Sequence, residues 1–326
     1  MTFAQWFLKI IGIAICTDIN AQKPLEEHPA PIQGTVVAQI EQQRDNLPTK
    51  AREVRTISLQ QVSPDPAFFA AKAQYYPEPD FSKGVIPFDA SSTAKELKFE
   101  VPVLDQGQYG TCVTFASTAT LDALLGGGDL VSQQCSLSLN MTLGYNYWNG
   151  AYDSTQIIIP LQKYGVVKQN NCAGVPYPVP CYKIPKSLYK IYVDKNIDVK
   201  QIKYQYIRGI SIDQVKQAID EGKYVNIGFG LVNNGSAVAV QGFDLNIYGM
   251  QHVGGLWACK QPSDPYNIYC GQFNSGHEVV IIGYDDSQSL LKIRNSWGDK
   301  VGDQGDFYMT YSFFEAMVMD GTLIWK

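Results

Sequence analysis

Positive charge and histidine are both scarce in this 326-residue chain. It has 26 lysines and arginines against 31 acidic residues, a net charge of −5, and only 3 histidines. Without an excess of basic side chains the chain cannot neutralise a phosphate backbone, so nucleic acid is not expected as a partner. Three histidines also leave few candidates for a general base.

Long apolar runs and closely spaced cysteine pairs are missing as well. No stretch beyond the N-terminus approaches the ~20 consecutive apolar residues that a membrane span requires, so stable membrane insertion of the mature chain is not expected. None of the seven cysteines forms a Cys-x-x-Cys pair, which argues against a zinc cluster. We expect neither a metal nor a cofactor, and the sequence indicates no particular oligomeric state.

Residues 1–21 are predicted to be an export signal of imperfect form. Residues 10–16 make an apolar core and Ala21 offers a small residue at a possible cleavage point, but Lys9 interrupts the apolar region. The alternative is an ordinary buried helix. The export signal predicts a secreted, periplasmic or lysosome-like location.

The cysteine spacings favour local disulfide bonds in such an oxidising compartment. Cys172 and Cys181 bracket a proline-rich loop, and Cys259 and Cys270 bracket a polar one, so each pair is predicted to be bonded. Cys135 is interpreted as a buried small hydrophobic residue. Once Cys16 is removed with the export signal, one further cysteine is left unpaired.

The chain divides into an N-terminal extension and a larger domain. Residues 22–85 are rich in Pro, Gln and Glu and show one helix start at Pro66, so this segment is either a pro-segment or a decoration of the main domain. Residues 86–326 form the main domain, with lobes of roughly 86–200 and 201–326.

Patterning predicts a mainly helical first lobe and a mainly antiparallel β second lobe. Helices are predicted after residue 112, over 156–164, and after the capping box of Ser211 and Gln214. Strand-like runs at 224–231, 278–284, 290–294 and 307–311 alternate with turn residues. The fold class is therefore α+β.

The unpaired cysteine, Cys112, lies where a glycine-rich turn meets a predicted helix start. The positive end of the helix dipole favours its thiolate, and Gln106 precedes it by six positions. His277 opens one predicted strand, and Asn295 ends the next. Paired strands would bring the amide beside the imidazole, so that one ring nitrogen faces the thiol.

Three sequence blocks resemble those of papain-like cysteine peptidases. Residues 106–113 (Q-G-Q-Y-G-T-C-V) resemble the family pattern Q-G-x-C-G-S-C-W. Residues 277–284 (H-E-V-V-I-I-G-Y) resemble H-A-V-x-x-V-G-Y, and residues 295–305 (N-S-W-G-D-K-V-G-D-Q-G) resemble N-S-W-G-x-x-W-G-x-x-G. Order and spacing agree over residues 86–326.

The resemblance implies a two-lobed papain-like fold with an antiparallel β-barrel-like second lobe and a cleft between the lobes. It implies an endopeptidase acting on proteins or peptides, with Cys112 as nucleophile, His277 as acid and base, and Asn295 as orienting residue. Gln106 would supply an oxyanion donor beside the backbone N–H of Cys112. A thiolate–imidazolium pair would be ionised near neutral pH.

Several positions depart from the family pattern or match it loosely. Tyr109 stands where the family has a disulfide-bonded cysteine. Glu278 replaces a small residue that lines a substrate pocket, and is predicted to narrow or acidify that pocket. Asn149 and Gly150 fall where the family has a backbone-binding wall, and Trp297 is either a substrate contact or a packing wall over the orienting amide.

Two other functions remain open. An acyl transferase could use the same Cys–His scaffold, but it would not require an amide six positions before the cysteine. A non-enzymatic binding module could retain the fold, although such a module has no need for an intact Cys–His–Asn set.

Overall fold

The computed structural model describes residues 30, 32–43, 52–72, 79, 81, 84–233, 243–247, 250–259, 270–271 and 273–326. The predicted export signal and His28 lie outside these residues. Within the described part of the chain, no helix combines the length and apolar character needed to cross a bilayer.

The described part of the N-terminal extension contains an antiparallel hairpin that the sequence did not predict. Strands β1 (Ile32–Gln43) and β2 (Arg52–Val62) pair along most of their length, followed by helix α1 (Pro66–Lys72), whose start at Pro66 was predicted. In β2 the residues buried between 57 and 62 alternate only imperfectly with exposed ones. Glutamine-rich strands of this kind carry a weak hydrophobic period, which explains why the sequence did not indicate them.

Helices dominate the first lobe. They are α2 (Cys112–Leu124), α3 (Gln133–Leu143), α4 (Thr155–Tyr164) and α5 (Lys186–Tyr192). The predicted helices at α2 and α4 are present, whereas α3 and α5 were not predicted. Ser132 caps α3 by accepting from Cys135 N at 3.2 Å. Helix α2 is buried over residues 112–122, and its apolar cluster joins it to α3 and α4.

Strands dominate the second lobe, apart from two helices, α6 (Ile212–Asp220) and α7 (Tyr311–Met317). The capping box predicted at Ser211 and Gln214 is present. The remaining strands are β3 (Ala94–Glu96), β4 (Lys203–Arg208), β5 (Tyr224–Leu231), β6 (Phe243–Ile247), β7 (Met250–Trp257), β8 (Ser275–Asp285), β9 (Leu290–Arg294), β10 (Asp306–Thr310) and β11 (Val318–Trp325). All four predicted strands are therefore found.

The strands form one open sheet rather than the predicted barrel. Their order is β4-β11-β5-β8-β9-β10-β7-β6, with β2 and β3 both pairing to β8 beside this path. All pairs are antiparallel except β10 with β7. The prediction of a barrel-like lobe is corrected to a large mixed sheet, since its end strands β4 and β6 do not meet. The α+β class itself is confirmed.

The disulfide bonds agree with one prediction and correct another. Cys259 is bonded to Cys270 as predicted, but Cys172 is bonded to Cys135 and not to Cys181. Cys135 therefore is not the free buried residue that its sequence context suggested. Folding brings α3 against the proline-rich loop, so Cys172 bonds a partner 37 residues away although Cys181 is only 9 residues away in the chain.

Candidate active site

The predicted nucleophile is the first residue of the central helix α2. Cys112 is 1% exposed and is the free cysteine among the described residues. Burial raises the pKa of its thiol to about 12, and hydrogen bonds from the N–H groups of Glu278, Val113 and Cys112 only partly oppose this rise. The thiol is thus neutral here, unlike the ionised thiol that the sequence predicted, because the site is covered.

The predicted base and its orienting amide are in contact. His277 lies near the start of β8, and its Nε2 is 2.8 Å from Asn295 Oδ1, at the end of β9. Burial lowers the pKa of His277 to about 4, although the hydrogen bond to Asn295 acts to raise it. The other ring nitrogen, Nδ1, is buried with no hydrogen-bond partner within the described structure. A neutral ring with Nε2 protonated leaves Nδ1 free to accept a proton from a thiol.

Trp297 forms the wall behind this pair. Its ring stacks on His277 with centroids 4.5 Å apart and 24° between planes, and it is 1% exposed. Phe229 also packs on the imidazole in an edge-to-face arrangement, with centroids 5.7 Å apart. These rings hold the imidazole plane, so the wall that Trp297 forms lies against His277. Its predicted packing over Asn295 and its predicted substrate contact stay predictions.

The side chain of Gln106 is held by Ser296, the residue that follows Asn295. Its Oε1 accepts from Ser296 Oγ at 2.8 Å, and its Nε2 donates to Tyr109 O at 2.8 Å. The amide group carries two hydrogens, so one is left to donate elsewhere. Ser296, which sequence reasoning missed, thereby links the loop before the nucleophile to the strand that carries Asn295.

Aromatic packing holds the nucleophile loop where the family pattern has a disulfide bond. Tyr109 meets Trp148 edge-on at 5.2 Å, and Trp148 stacks on Tyr177 at 5.7 Å. The Tyr177 hydroxyl donates to Gln106 O at 2.6 Å and lies 3.1 Å from Thr111 Oγ1. Tyr109 is therefore part of a cluster that fixes both ends of the loop.

Glu278 lies in a polar cluster between the two lobes. Neighbouring strand residues face opposite sides, so its side chain points away from that of His277. Ser154 Oγ donates to Glu278 Oε1 at 2.7 Å and receives hydrogen bonds from Ser117 Oγ and Asn226 Nδ2, each at 2.8 Å. The carboxyl is 3% exposed, and burial raises its pKa well above the ordinary value.

This burial bears on the predicted substrate role of Glu278. A carboxyl that keeps its proton cannot acidify a pocket by carrying charge, and here its visible partner is a serine hydroxyl. The residue instead connects α2, α4, β5 and β8 below the nucleophile. Its role in substrate selection stays a prediction.

Strand β2 of the N-terminal hairpin lies in the cleft. Gln60 pairs with Gly276 and Gln61 with Ser275, directly before His277 in the chain. The Gln60 side chain is 6% exposed, donates to Ala151 O at 2.6 Å and places its Nε2 4.0 Å from Cys112 Sγ. The resting chain thus covers its own thiol.

The predicted glycine wall is part of this contact. A Cβ built on Gly150 would lie 2.6 Å from Gln60 Cγ, so a side chain at this position would collide with the covering strand. Gly150 has a φ of 114°, in the region that favours glycine. Asn149 is half-buried beside it. Sequence reasoning missed Gln60 itself, since no motif distinguished it within the extension.

An arginine on the same strand ties the hairpin to both sequence blocks of the site. Arg55 donates from Nη1 to Asp105 Oδ2 at 2.5 Å and from Nη2 to Trp297 O at 2.9 Å. Asp105 also bridges to Trp297 through the backbone and caps Gly107 N at 2.8 Å. One guanidinium therefore joins the hairpin to the strand end next to Asn295 and to the loop before Cys112.

No group of three His, Cys, Asp or Glu side chains in the described part of the chain could hold a metal ion.

A helical lobe packed against a large, mainly antiparallel sheet is the architecture of the papain-like class of fold. The model of the Peptidase C1-like family matches residues 161–323, half of the chain, and the chain belongs to this family. The match includes His277 and Asn295, while Cys112 and Gln106 precede it.

Named relatives are similar at low identity. The oryzain gamma chain of Oryza sativa subsp. japonica is 24% identical over 212 residues, which are 64% of this chain and 51% of the rice protein. The thiol protease aleurain of Arabidopsis thaliana is 26% identical over 219 residues, 64% of this chain and 52% of its own length. The chain thus spans about half the length of these curated relatives.

A solved structure supports the fold. Xylellain, a cysteine protease from Xylella fastidiosa, superposes with a TM-score of 0.53 at 23% identity and covers 77% of this chain and 95% of its own. At this identity the likeness defines the fold alone.

Proposed function

We propose that this chain is a cysteine-type endopeptidase that hydrolyses peptide bonds through a thioester acyl-enzyme. The observation that carries the proposal is the His277–Asn295 pair with His277 Nδ1 unpartnered among the described residues. Gln60 links this pair to the nucleophile, since it pairs with Gly276 directly before His277 and places its Nε2 4.0 Å from Cys112 Sγ. Membership of the Peptidase C1-like family and the similar thiol proteases support it.

The reaction begins with a proton transfer from Cys112 Sγ to His277 Nδ1. The thiolate adds to a peptide carbonyl, and the second amide hydrogen of Gln106 and the Cys112 N–H stabilise the resulting oxyanion. His277 then protonates the leaving amine, and a thioester remains on Cys112. His277 next takes a proton from water, which attacks the thioester and releases the acid.

The N-terminal extension acts in this proposal as a pro-segment. The hairpin buries Cys112, keeps its thiol neutral and occupies the edge of β8. Displacement or cleavage of the hairpin would restore water and substrate access. The disulfide bonds Cys135–Cys172 and Cys259–Cys270 support folding in an oxidising compartment, in line with export.

Covalent labelling with an epoxide inhibitor of thiol peptidases, combined with peptide hydrolysis, tests the proposal. The full chain and a variant with a loosened hairpin (Arg55→Ala) are incubated with the epoxide and with casein under mild reduction. We expect the label on Cys112 and new peptide termini, both lost in Cys112→Ser. Labelling and hydrolysis that persist in Cys112→Ser would contradict the assignment.

Product analysis separates the two alternative functions. Hydrolysis in the presence of a free amine should give acids, whereas an acyl transferase would give amide products. A binding module would give neither product and no label in the loosened variant.

A further inference from the structure

Gln60 fills a narrow slot at the floor of the cleft. Two glycines form its sides: a Cβ on Gly150 would lie 2.6 Å from Gln60 Cγ, and one on Gly276 would lie 3.3 Å from Gln60 Oε1. Ala151 O and Cys112 Sγ lie at its end, 2.6 Å and 4.0 Å from Gln60 Nε2. The slot therefore takes one long side chain and has no room for another.

Strand β2 enters the cleft as an added β-strand. Gln60 lies opposite Gly276 and Gln61 opposite Ser275, and Val62 N donates to Asn274 O at 3.1 Å. Main-chain pairing of this kind binds an extended peptide whatever its sequence, while pockets for alternate side chains provide selectivity. A bound substrate could pair with the same edge of β8. The side chain of its residue opposite Gly276 would then enter the slot.

The end of the slot presents a hydrogen-bond acceptor. The carboxamide of Gln60 donates to the Ala151 carbonyl in a place where the side chain is 6% exposed. A carboxylate there would set two oxygens against each other, and an apolar side chain would leave the carbonyl without this donor. A lysine ammonium would lose its hydration without gaining a carboxylate partner, because the Glu278 carboxyl is already bound to Ser154.

We propose that this slot is a substrate subsite selective for an unbranched side chain ending in an uncharged amide, glutamine above all, at the substrate residue that pairs with Gly276. The subsite deepens the proposed peptidase function, on which it rests. In the resting chain Gln60 occupies the subsite and so keeps the hairpin in register over Cys112.

Two adjacent glutamines provide a matched pair of variants for the first test. Gln60 faces the slot, whereas Gln61 faces solvent on the same strand. In the full chain, Gln60→Glu should accelerate iodoacetamide labelling of Cys112 by about tenfold or more, since a buried hydrogen bond is replaced by opposed oxygens. Gln60→Leu should accelerate labelling less, and Gln61→Glu should match wild type. Equal labelling in Gln60→Glu and Gln61→Glu would overturn the proposal.

A protection assay tests selectivity without requiring catalysis. The probe is a peptide of residues 55–62 (R-T-I-S-L-Q-Q-V), compared with peptides that carry Glu, Leu or Lys in place of the first glutamine. Added to the Gln60→Glu chain, or to Arg55→Ala if the former does not fold, the glutamine peptide should slow labelling of Cys112 at about tenfold lower concentration than the other three. Equal protection by all four peptides would overturn the proposal.

Hydrolysis of the same four sequences, within longer peptides, distinguishes the two proposals. Protection that prefers glutamine without any cleavage would refute the peptidase function but leave the subsite intact. Cleavage at equal rates for all four residues would refute the subsite but leave the peptidase function intact.

Discussion

Cys112 and His277 are both neutral in the covered site, and the cause is the loss of water around them. Burial raises the pKa of the thiol to about 12 and lowers that of the imidazole to about 4. An ion pair between them would need the solvation or the substrate dipoles that an open cleft admits. In the covered site the thiol proton of Cys112 therefore stays on sulfur at neutral pH.

This charge state predicts the pH dependence of labelling at Cys112. Iodoacetamide reacts with thiolate, so the wild-type rate should rise through the alkaline range without levelling off at neutral pH. In Arg55→Ala the labelling rate should begin to rise at lower pH than in wild type, because an exposed thiol near an imidazole ionises more readily. Mass spectrometry of the alkylated peptide measures both profiles. A wild-type rate that is already constant from neutral pH upward would contradict the neutral thiol.

Glu278 offers a second prediction at the residue scale. Glu278→Gln keeps an oxygen that can accept from Ser154, and should change the free energy of unfolding by less than about 1 kcal/mol at acid pH. Glu278→Ala removes the acceptor of the Ser154 hydroxyl hydrogen and creates a cavity, and should cost about 2–4 kcal/mol. Urea unfolding of the two variants measures the difference.

The raised pKa of Glu278 also determines how the stability difference between Glu278→Gln and wild type depends on pH. As pH rises above the ordinary value of 4.5, the unfolded chain loses this proton while the folded chain retains it. The glutamate's contribution is thus fully present below pH 4.5 and is lost as pH rises, whereas glutamine does not titrate. Glu278→Gln should gain stability relative to wild type from acid to neutral pH. A constant difference would indicate that folding does not raise the pKa of Glu278.

Among elements, the hairpin of β1 and β2 has a specific anchor in Arg55. Its contacts reach Asp105 and Trp297 O, and the side chains of Arg55 and Asp105 are 23% and 45% exposed. Ion pairs that water reaches to this extent contribute about 0.2–1 kcal/mol, to which the hydrogen bond to the Trp297 carbonyl adds.

Loss of this anchor should open the cleft more often. Arg55→Ala should raise the labelling rate of Cys112 by about fivefold, equivalent to roughly 1 kcal/mol. Thr56→Ala, an exposed change at the next position, is the matched control and should leave the rate unchanged. High salt should reduce the difference between Arg55→Ala and wild type. A response of the same size in Thr56→Ala would show that the strand rather than the ion pair is responsible.

At the scale of the whole molecule, the disulfide bonds Cys135–Cys172 and Cys259–Cys270 are expected to stabilise the fold to different extents. Cys135–Cys172 closes 37 residues and both its cysteines are 1% exposed, whereas Cys259–Cys270 closes 11 residues and is half-buried. Chain entropy assigns about 4 kcal/mol to the longer loop and about 3 to the shorter one. The longer bond also joins α3 to the loop that precedes α5.

Replacing each pair by alanine should therefore lower the melting temperature unequally. Cys135→Ala with Cys172→Ala should lower it more than Cys259→Ala with Cys270→Ala, as scanning calorimetry of the full chain would measure. The second double variant is the control for loss of a disulfide as such. Equal shifts would mean that burial and loop length do not determine the contribution.

The sequence alone determined the parts of this protein that depend on short-range order. The capping box at Ser211, the strand that begins near His277, and the helix that begins at Cys112 each follow from residues within one or two turns of chain. The three sequence blocks also predicted that Cys112, His277 and Asn295 form one site. The pairing of two neighbouring strands was expected to place Asn295 beside His277.

Only the tertiary structure decided what lies against those residues. Cys172 is bonded to Cys135 and not to Cys181, which is nearer in the sequence. The sheet is open because its end strands, β4 and β6, do not pair. Gln60 reached the thiol from 52 positions away through a strand whose glutamines carry no clear apolar period. Burial then determined the protonation states of Cys112, His277 and Glu278. Each of these outcomes depends on contacts distant in the chain, which no local pattern encodes.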